Sequence, residues 1–454
     1  MKRIQRTALK ISLLTVLGLL AQPALAGGPQ LFEQTAAGLG VSQAGYAAAA
    51  DDASTEYSNP AGMVRIKHPQ ISTGVELIAL NVNYNGSTST EIKIPSQKID
   101  AIVGVKQGVA TSNIMRAVPN FHFVTPLNDR WYMGTGVTAP FGLVTNYADG
   151  GVAAQYATIS SMQTINVSED LAYAATDKLS IGAGVDIQRF DGEFDADLFN
   201  HVSVVNKLND VGVGAHAGVL FQFTPTTRVG LAYHSEIDHH SQGTGSVNTH
   251  DLPHEVIPGV PLPDGIHDAG TVTMDLPLPA WFSLGIYHDM NEKWAVMSTV
   301  QYTYWNVVKN LTIQGIPVES FAGSGVEISD KISLPMNFRN SYVASLGTTY
   351  KFTPKFMGRF GLSYDQTPTV NAYRELRLPD SDKFNVALGA HFQPTTQLGF
   401  DLGYQHVFAA AANVDKSSPL TDIGKKEQLV INQLMKGVFN NSADIIGAQL
   451  TYDF

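Results

Sequence analysis

Several stretches of this chain alternate large apolar residues with small or polar ones, and this alternation limits the possible folds more than any other feature. In QLGFDLGYQHVF, residues 397–408, the leucines, tyrosine and phenylalanines share one face, and both glycines, the aspartate and both glutamines share the other. The same period of two runs through residues 211–223 and 383–392. Because successive side chains of a β-strand point to opposite faces, each stretch predicts a strand with one apolar face.

The connections between such stretches alternate between short and long along the chain. The short ones are rich in Asn, Asp, Pro and Thr, which favour tight turns, and lie at residues 126–130, 175–178, 224–227, 289–293, 353–355 and 393–396. Long polar connections lie near residues 85–114, 143–160, 191–210, 239–270, 309–337, 367–381 and 409–440. Short turns at one rim and long loops at the other are typical of an antiparallel barrel, and this count predicts about 14 strands.

The composition indicates that this barrel lies in a membrane. Charged residues make up 15% of the chain, whereas about a quarter is typical of soluble domains. The chain has 41 glycines and no cysteine, so neither disulfides nor thiolate metal sites are available. These features predict an all-β protein, a transmembrane antiparallel β-barrel in the outer membrane of a Gram-negative bacterium.

The first 26 residues have the features of a cleaved export signal. Basic residues precede the apolar run ISLLTVLGLL, and ALA at residues 24–26 offers a small-residue cleavage site. Cleavage near Ala26 removes four basic residues and takes the net charge from −11 to −15. So acidic a chain argues against a nucleic-acid partner, which would require a basic surface.

Residues 27–67 lack the alternation and precede the predicted barrel, residues 68–454. They are rich in Ala and Gly, with helical character around residues 44–50 and two aspartates, Asp51 and Asp52, placed to end a short helix. A barrel of this width would hold open water unless it were filled. We expect these residues to form a small, partly helical plug (hatch) inside the lumen; a loose periplasmic tail is the alternative.

The alternation stops within WYMGTGVTAPFGLVTNY, residues 131–147. Pro140 has no N–H for the strand ladder, and Gly142 permits backbone angles that other residues avoid. Unpaired backbone groups facing lipid cost several kcal/mol each, so a break persists only where the plug or water supplies partners. From the strand alone, the break is either a gap in the wall or a harmless bulge.

The stretch GLGVSQAGYAAAADDASTEYSNPAGM resembles the N-terminal hatch of the FadL-type outer-membrane transporters of long-chain fatty acids and other hydrophobic compounds. Its Gly-Leu-Gly, Asp-Asp-Ala and Asn-Pro-Ala elements occur in the family's order, and VPNFHFVTPLND, residues 118–129, continues the likeness. The likeness covers nearly all of the chain after the export signal, apart from loops 239–270 and 409–440. It implies passive uptake of long-chain fatty acids without a cofactor.

In this family the third strand is kinked inward and leaves a gap in the barrel wall, and the Asn-Pro-Ala element lies against the kink. By resemblance, Pro140 and Gly142 mark the kink. Asn59, Pro60 and Ala61 then form the gate, with Asn59 as a polar partner for the break. The resemblance therefore implies that the ligand leaves sideways into the membrane after the hatch moves.

The resemblance also indicates which residues contact the ligand. Arg339, in MNFRNSYVASLGTTY, has the parity of the lumen and stands where the family has a ligand-binding lysine, so we expect it to anchor a carboxylate. A rim arginine paired with a loop carboxylate is the alternative. Pro29 replaces a ligand-contacting phenylalanine of the family, so Leu31 or Phe32 is expected to substitute for it, and Phe141 to line the pocket.

Other functions have less support. Uptake of small aromatic hydrocarbons by the same route is the nearest alternative, because such ligands have no carboxylate and need no Arg339. A general polar porin would need an open, charged lumen rather than an apolar plug. No GxSxG motif marks a catalytic serine, and no GxxxxGK[ST] motif marks a phosphate-binding loop, so no enzyme activity is expected.

No metal site is expected either. The histidines in the 234–267 region lack a recognised ligand spacing, and Gly and Pro separate them, which favours a solvated extracellular loop; they are His234, His239, His240, His250, His254 and His267. The expected partners are the hydrophobic ligand and the surrounding outer-membrane lipid and lipopolysaccharide. The chain is expected to act as a monomer.

Overall fold

The computed structural model describes residues 29–94, 98–198, 201–252, 263–321, 330–419 and 430–454; the expected export signal lies outside them. The helices in these ranges are short: α1 (Ala36–Leu39), α2 (Thr55–Ser58) and the 3-10 helices Pro60–Arg65, Trp305–Val307, Glu319–Phe321 and Asn371–Tyr373. None of the helices in the described residues is long and apolar enough to cross a bilayer.

The rest of the described chain is dominated by 21 strand segments joined in one sheet. They are β1 (Gln70–Ile94), β2 (Ile99–Pro126), β3 (Trp131–Thr138), β4 (Gly142–Asn146), β5 (Ile159–Ala174), β6 (Leu179–Leu198), β7 (Val202–Thr224), β8 (Thr227–His234), β9 (Ile237–Thr249), β10 (His267–Leu278), β11 (Trp281–Asp289), β12 (Trp294–Thr303), β13 (Asn310–Gln314), β14 (Lys331–Pro335), β15 (Ser341–Thr353), β16 (Phe356–Asp365), β17 (Lys383–Phe392), β18 (Leu398–Ala409), β19 (Ala412–Pro419), β20 (Val430–Phe439) and β21 (Ser442–Asp453).

The sheet closes into a barrel of 14 antiparallel strands. Several of these strands consist of two segments separated by a short interruption. For example, β3 and β4 both pair with β5, and β8 and β9 both pair with β7. The last segment, β21, pairs with both β18 and β1, which closes the wall. The predicted antiparallel barrel and its strand count are confirmed.

The predicted turns are also confirmed, but strands extend into several of the predicted long loops. Each tight turn joins two adjacent strands; β2, for example, ends at Pro126 and β3 begins at Trp131. By contrast, β1 and β2 pair through most of residues 85–114, and β9 and β10 extend into residues 239–270. The polar composition predicted loops there, but a neighbouring strand satisfies backbone groups whatever the side chains are.

The wall presents large apolar side chains outward and glycines inward. Exposed outward residues include Leu346, Leu388, Leu402 and Ile446. A Cβ added at Gly230 would lie 1.7 Å from the Ala47 carbonyl oxygen, and one at Gly361 would lie 2.1 Å from the Val41 carbonyl carbon. The residues before β1 therefore pack directly against the inner wall. We call residues 29–66 the plug.

Side chains from the wall hold the plug in place. The Arg228 guanidinium on β8 donates to the carbonyls of Ala48, at 2.7 Å, and Ala49, at 2.5 Å. Within the plug, the Thr35 hydroxyl accepts the Gly38 N–H at 3.0 Å and caps α1. Helices of a single turn are not stable alone, so the wall contacts maintain the plug's conformation.

Candidate functional site

The third strand of the wall is interrupted after Thr138 and resumes at Gly142. β3 pairs with both of its neighbours, β2 and β5, whereas β4 pairs with β5. Pairing of β2 with β3 stops at Phe121 and Val137, and the described residues contain no ladder between β2 and β4. The wall therefore has a gap in its hydrogen-bond ladder between β2 and β4.

The first described residues of the plug supply backbone partners at this break. The Leu31 N–H donates to the Pro140 carbonyl at 2.8 Å, and the Gly142 N–H donates to the Pro29 carbonyl at 2.7 Å. The N-terminal segment thus acts as a very short strand beside the interrupted one.

Side chains complete the hydrogen bonding of the break. Gln34 Nε2 donates to the Ala139 carbonyl at 3.0 Å, and the Ala139 N–H donates to Gln34 Oε1 at 3.2 Å. The Phe141 N–H donates to the Thr164 hydroxyl at 2.9 Å, and Gln30 faces Phe141 as an isolated antiparallel bridge. Every backbone N–H at the break has a partner, which is how an interrupted strand persists in a membrane wall.

The Asn-Pro-Ala element lies elsewhere, so the expectation that Asn59 partners the break is wrong. Asn59 Nδ2 donates to the carbonyls of Ala47, at 2.6 Å, and Val219, at 3.1 Å. Asn59 Oδ1 accepts the Ala61 N–H at 3.1 Å and caps the helix that begins at Pro60. The side-chain amide of Asn59 therefore uses its N–H groups and its oxygen within the plug and on β7. It has no further hydrogen-bonding group to offer the break.

Arg339 lies at the long-loop rim, and its expected lumen parity is wrong. The backbone before β15 is not a strand, and Asn337 has a φ of 42°, so parity counted back from β15 does not apply. Arg339 Nε donates to the Thr367 carbonyl at 3.1 Å, and its Nη2 lies 3.7 Å from Asp382 Oδ1. The side chain is 48% exposed. This is the rim arginine of the alternative interpretation.

A buried apolar cluster, here the outer apolar cluster, leads from the long-loop side of the barrel to the break. Phe141 is 5% exposed within it and meets the Trp305 ring edge-on, with ring centroids 6.0 Å apart. Phe338 meets the same indole at 5.8 Å. Other members include Met162, Phe190, Phe194, Val204, Met274 and Leu378. The cluster is a continuous set of contacts between buried apolar side chains that includes Phe141.

The two N-terminal candidates have different surroundings. Leu31 is 4% exposed and belongs to a second apolar cluster that also contains Ala139 and Leu376. Phe32 is half-buried. Leu31 therefore lies at the break, as its backbone bond to Pro140 requires, but in a different cluster from Phe141.

Arg377 was missed in the sequence because it lies in a loop with no alternation to indicate its direction. It lines a cavity together with Phe194, Leu198, Val204, Leu311, Ile332 and Leu334. Its Nη1 donates to the Ser160 hydroxyl at 2.9 Å and to the Asp195 carbonyl at 3.2 Å. Burial lowers the pKa of the Arg377 guanidinium below its ordinary value. The nearby carboxylates of Glu375 and Asp195 oppose this lowering, although neither forms a direct ion pair with Arg377 among the described residues.

The histidines expected in one solvated loop occupy several environments. His234 ends β8 and His239 lies in β9, and both are buried, so the expectation is wrong for these two. His240 is exposed, as are His250 and His267. His254 lies outside the described residues.

Taken together, a closed barrel with an apolar outer surface, an internal plug and a buried apolar cluster beside a break in the wall is typical of an outer-membrane transporter of hydrophobic compounds. The chain belongs to the outer membrane protein transport protein family (OMPP1/FadL/TodX), whose family model matches residues 17–454. The resemblance seen in the sequence is confirmed, as is a location in the Gram-negative outer membrane. The family is one of transport proteins, not enzymes.

Similar proteins span the whole chain. It is 29% identical over 490 residues to outer membrane protein P1 of Haemophilus influenzae, covering 100% of both chains. It is 27% identical over 430 residues to the long-chain fatty acid transport protein of Escherichia coli O6:H1, covering 87% of this chain and 91% of that one.

Solved structures share the fold. A Pseudomonas aeruginosa FadL homologue superposes with a TM-score of 0.77 at 23% identity, covering 94% of this chain and 100% of that chain. The Ralstonia pickettii toluene transporter TbuX superposes with a TM-score of 0.62 at 19% identity, covering 92% and 98%.

Proposed function

We propose that this protein takes up long-chain fatty acids by passive diffusion. The ligand leaves the barrel sideways through the gap between β2 and β4, after the N-terminal part of the plug, residues 29–34, moves away from the break. The observation that carries this proposal is the backbone pairing of Pro29 and Leu31 with the interrupted third strand. A gate of this kind opens without disturbing the ladders of the remaining wall.

The outer apolar cluster is the part of the protein that we assign to binding the acyl chain of the ligand. Each buried CH₂ contributes about 0.8 kcal/mol, so a long acyl chain binds wherever contiguous apolar surface is offered. Phe141 stands at the end of the cluster and belongs to the break itself. Movement of the N-terminal segment therefore changes the ligand's contacts and its exit at the same place.

Arg377 is the better candidate for the carboxylate anchor. Arg339 is half exposed and already faces Asp382. Arg377 donates to a hydroxyl and a carbonyl, both neutral, at the edge of an apolar cavity. A carboxylate would gain strong, charge-assisted hydrogen bonds there. We therefore assign to Arg377 the anchoring of the ligand carboxylate that was expected of Arg339.

The gating role expected of Asn59, Pro60 and Ala61 is also modified. We propose that these residues fix the inner part of the plug to β7, and that residues 29–34 are the moving part. We further propose that the protein acts as a monomer surrounded by outer-membrane lipid and lipopolysaccharide, because β21 closes on β1 and no second chain is needed to complete the wall.

Uptake of small aromatic hydrocarbons is the second candidate. The three rings of Phe141, Trp305 and Phe338 meet edge-to-face at the inner end of the path, an arrangement suited to flat apolar ligands. A relative of known structure, TbuX, is described as a toluene transporter. Such a ligand has no charge and would not use Arg377.

The two candidates are separated by uptake of labelled oleate and labelled toluene into cells that lack their own transporter. Charge-assisted hydrogen bonds contribute about 1.5–3 kcal/mol, so Arg377→Gln is expected to lower oleate uptake at limiting concentration by roughly tenfold or more. Toluene uptake should not change. Arg339→Gln serves as the matched control and should leave oleate uptake near the wild-type level.

Equal amounts of folded protein at the cell surface must first be verified for each variant. Arg377→Lys keeps the charge and is expected to retain part of the oleate uptake. Toluene uptake without oleate uptake would reassign the ligand to aromatic hydrocarbons. If neither compound enters faster than in cells without the protein, the proposed function is wrong.

A further inference from the structure

A buried cluster of metal-binding residue types lies on the inner wall, away from the break and the outer apolar cluster. We infer that Asp186, His216 and His234 form a binding site for a divalent transition-metal ion, with Zn²⁺ as the best match. Each has one potential ligand atom within 4.8 Å of the other two. The inference does not depend on which hydrophobic compound is transported.

The register of three adjacent strands brings these residues together. His216 on β7 is paired directly with His234 on β8, and Gly184, two residues before Asp186 on β6, is paired with His216. Residues paired across strands, or offset by two, project from the same face of a sheet. All three side chains therefore point inward, where they are 2–5% exposed. They are distant in sequence, so no metal site was expected from it.

The distances approach those of a metal site. His216 Nδ1 lies 2.8 Å from Asp186 Oδ2, and His234 Nδ1 lies 3.9 Å from the same oxygen. Ligand atoms around tetrahedral Zn²⁺ lie about 3.3 Å apart, given metal–ligand bonds of about 2 Å. The His216 and His234 rings are stacked, with centroids 4.5 Å apart and planes 5° apart, so the His234 ring must also turn before both nitrogens point at one ion. Two imidazoles and one carboxylate suit Zn²⁺ and leave a fourth position open.

Two of the candidate ligands are held by the kind of partners that orient metal ligands. His216 Nε2 lies 2.6 Å from Asp170 Oδ1, which leaves Nδ1 directed at Asp186. Asp186 Oδ1 accepts from Asn166 Nδ2 at 2.7 Å, which leaves Oδ2 for the ion. A histidine placed between a carboxylate and a metal is a recurrent arrangement in zinc proteins.

The third candidate ligand is oriented by the plug. His234 Nε2 lies 3.0 Å from the carbonyl oxygen of Tyr57, so Nε2–H donates to it and Nδ1 is the free acceptor facing Asp186. The Trp281 ring stacks on the His234 imidazole, with centroids 3.9 Å apart. Because Tyr57 belongs to α2, a metal ion at His234 would link the wall to the plug.

The alternative is that His216 is protonated and bridges Asp170 and Asp186 as a buried ion triad. In that arrangement the two ring N–H groups of His216 donate to the two carboxylates. A proton then lies between His216 and Asp186, where the metal ion would otherwise bind, so no metal ion fits. The two interpretations differ in whether the purified protein binds one equivalent of Zn²⁺ through Asp186 and His234.

The test uses tag-free, detergent-solubilised full-length protein, treated with EDTA and then dialysed. Titration with Zn²⁺ against a competing chelator is expected to show one saturable site per chain, and Co²⁺ is expected to give a visible absorption band from a coordinated ion. Asp186→Asn keeps the shape of the side chain, and His234→Gln keeps a polar group; each is expected to weaken Zn²⁺ binding at least tenfold. His240→Gln, on an exposed histidine, should have no effect.

Thermal unfolding provides a second readout. Ligand that binds only the folded state raises the unfolding temperature, so added Zn²⁺ should raise it for the wild type and His240→Gln and not for Asp186→Asn. Absence of a saturable site in the folded wild-type protein would overturn the inference, whatever the variants do. Wild-type affinity in both Asp186→Asn and His234→Gln would overturn it as well.

Discussion

At the scale of single residues, the interrupted strand depends on groups that replace the lost ladder. Gln34 makes two hydrogen bonds to the backbone of Ala139, and the Thr164 hydroxyl accepts a hydrogen bond from the Phe141 N–H. Pro29 and Leu31 supply backbone partners, and neither hydrogen bond depends on the identity of their side chains. The closed state of the break is therefore specified by a few named hydrogen bonds that can be removed one at a time.

Replacing Gln34 should loosen the break. In Gln34→Ala, the N–H and carbonyl of Ala139 lose their partners, and an unsatisfied buried group costs about 1–3 kcal/mol. We expect amide hydrogen exchange of residues 139, 141 and 142 to accelerate by roughly tenfold, because local opening becomes easier. Gln397→Ala, in an exposed turn, is the control and should leave these amides unchanged. Equal exchange rates in the two variants would show that Gln34 does not hold the break.

At the scale of elements, the sequence predicted the strands whose two faces meet different surroundings. Residues 397–408 alternate because one face meets lipid and the other the lumen, and β18 lies there. β9 has mostly polar residues on both faces, so it carried no such signal and most of it was predicted as loop. The break at Pro140 was predicted correctly because proline limits the backbone locally.

The site was less predictable because it depends on contacts between distant residues. The prediction that Arg339 points into the lumen was wrong because an irregular segment separates this residue from β15, and the alternation of the strand does not extend through it. The partner of the break was predicted to be Asn59, but the plug's path inside the barrel brings Pro29 and Leu31 there instead. Arg377 and its cavity arise from loops and strands far apart in the chain, which neither motif nor periodicity records.

The fit between plug and wall requires inward glycines. An added Cβ at Gly230 would lie 1.7 Å from the Ala47 carbonyl oxygen, so Gly230→Ala must displace the plug backbone. We expect this variant to make cells several-fold more sensitive to a large polar antibiotic that enters through open barrels. At Gly270 the nearest atom to an added Cβ is 3.5 Å away, so Gly270→Ala is a matched control. Equal sensitivity of the two variants, at equal surface amounts, would contradict a tightly packed plug.

At the scale of the whole molecule, the barrel has a buried apolar cluster that includes Phe141 and a gap in the hydrogen-bond ladder beside that residue. The wall around the gap is held by continuous antiparallel ladders, and the N-terminal segment closes the break from inside. The inner plug is fixed separately, by Asn59 to β7 and by Arg228 to residues 48–49. Under the proposed mechanism, opening requires movement of only the first residues of the plug.

The most direct test of this account locks the N-terminal segment onto the break. The chain has no cysteine, so Gln30→Cys/Phe141→Cys introduces one defined pair. These residues face each other in an antiparallel bridge whose flanking residues make the hydrogen bonds. In such pairs the Cα atoms lie about 4.5 Å apart, within the range that a disulfide spans.

Oleate uptake is then measured in cells carrying the double variant, before and after mild reduction, with each single cysteine variant as a control for the loss of its side chain. The account predicts that the oxidised double variant takes up little oleate, that reduction restores uptake to the level of the single variants, and that reduction changes neither single variant. Uptake by the oxidised double variant at the rate of the reduced one would contradict a gate formed by the N-terminal segment.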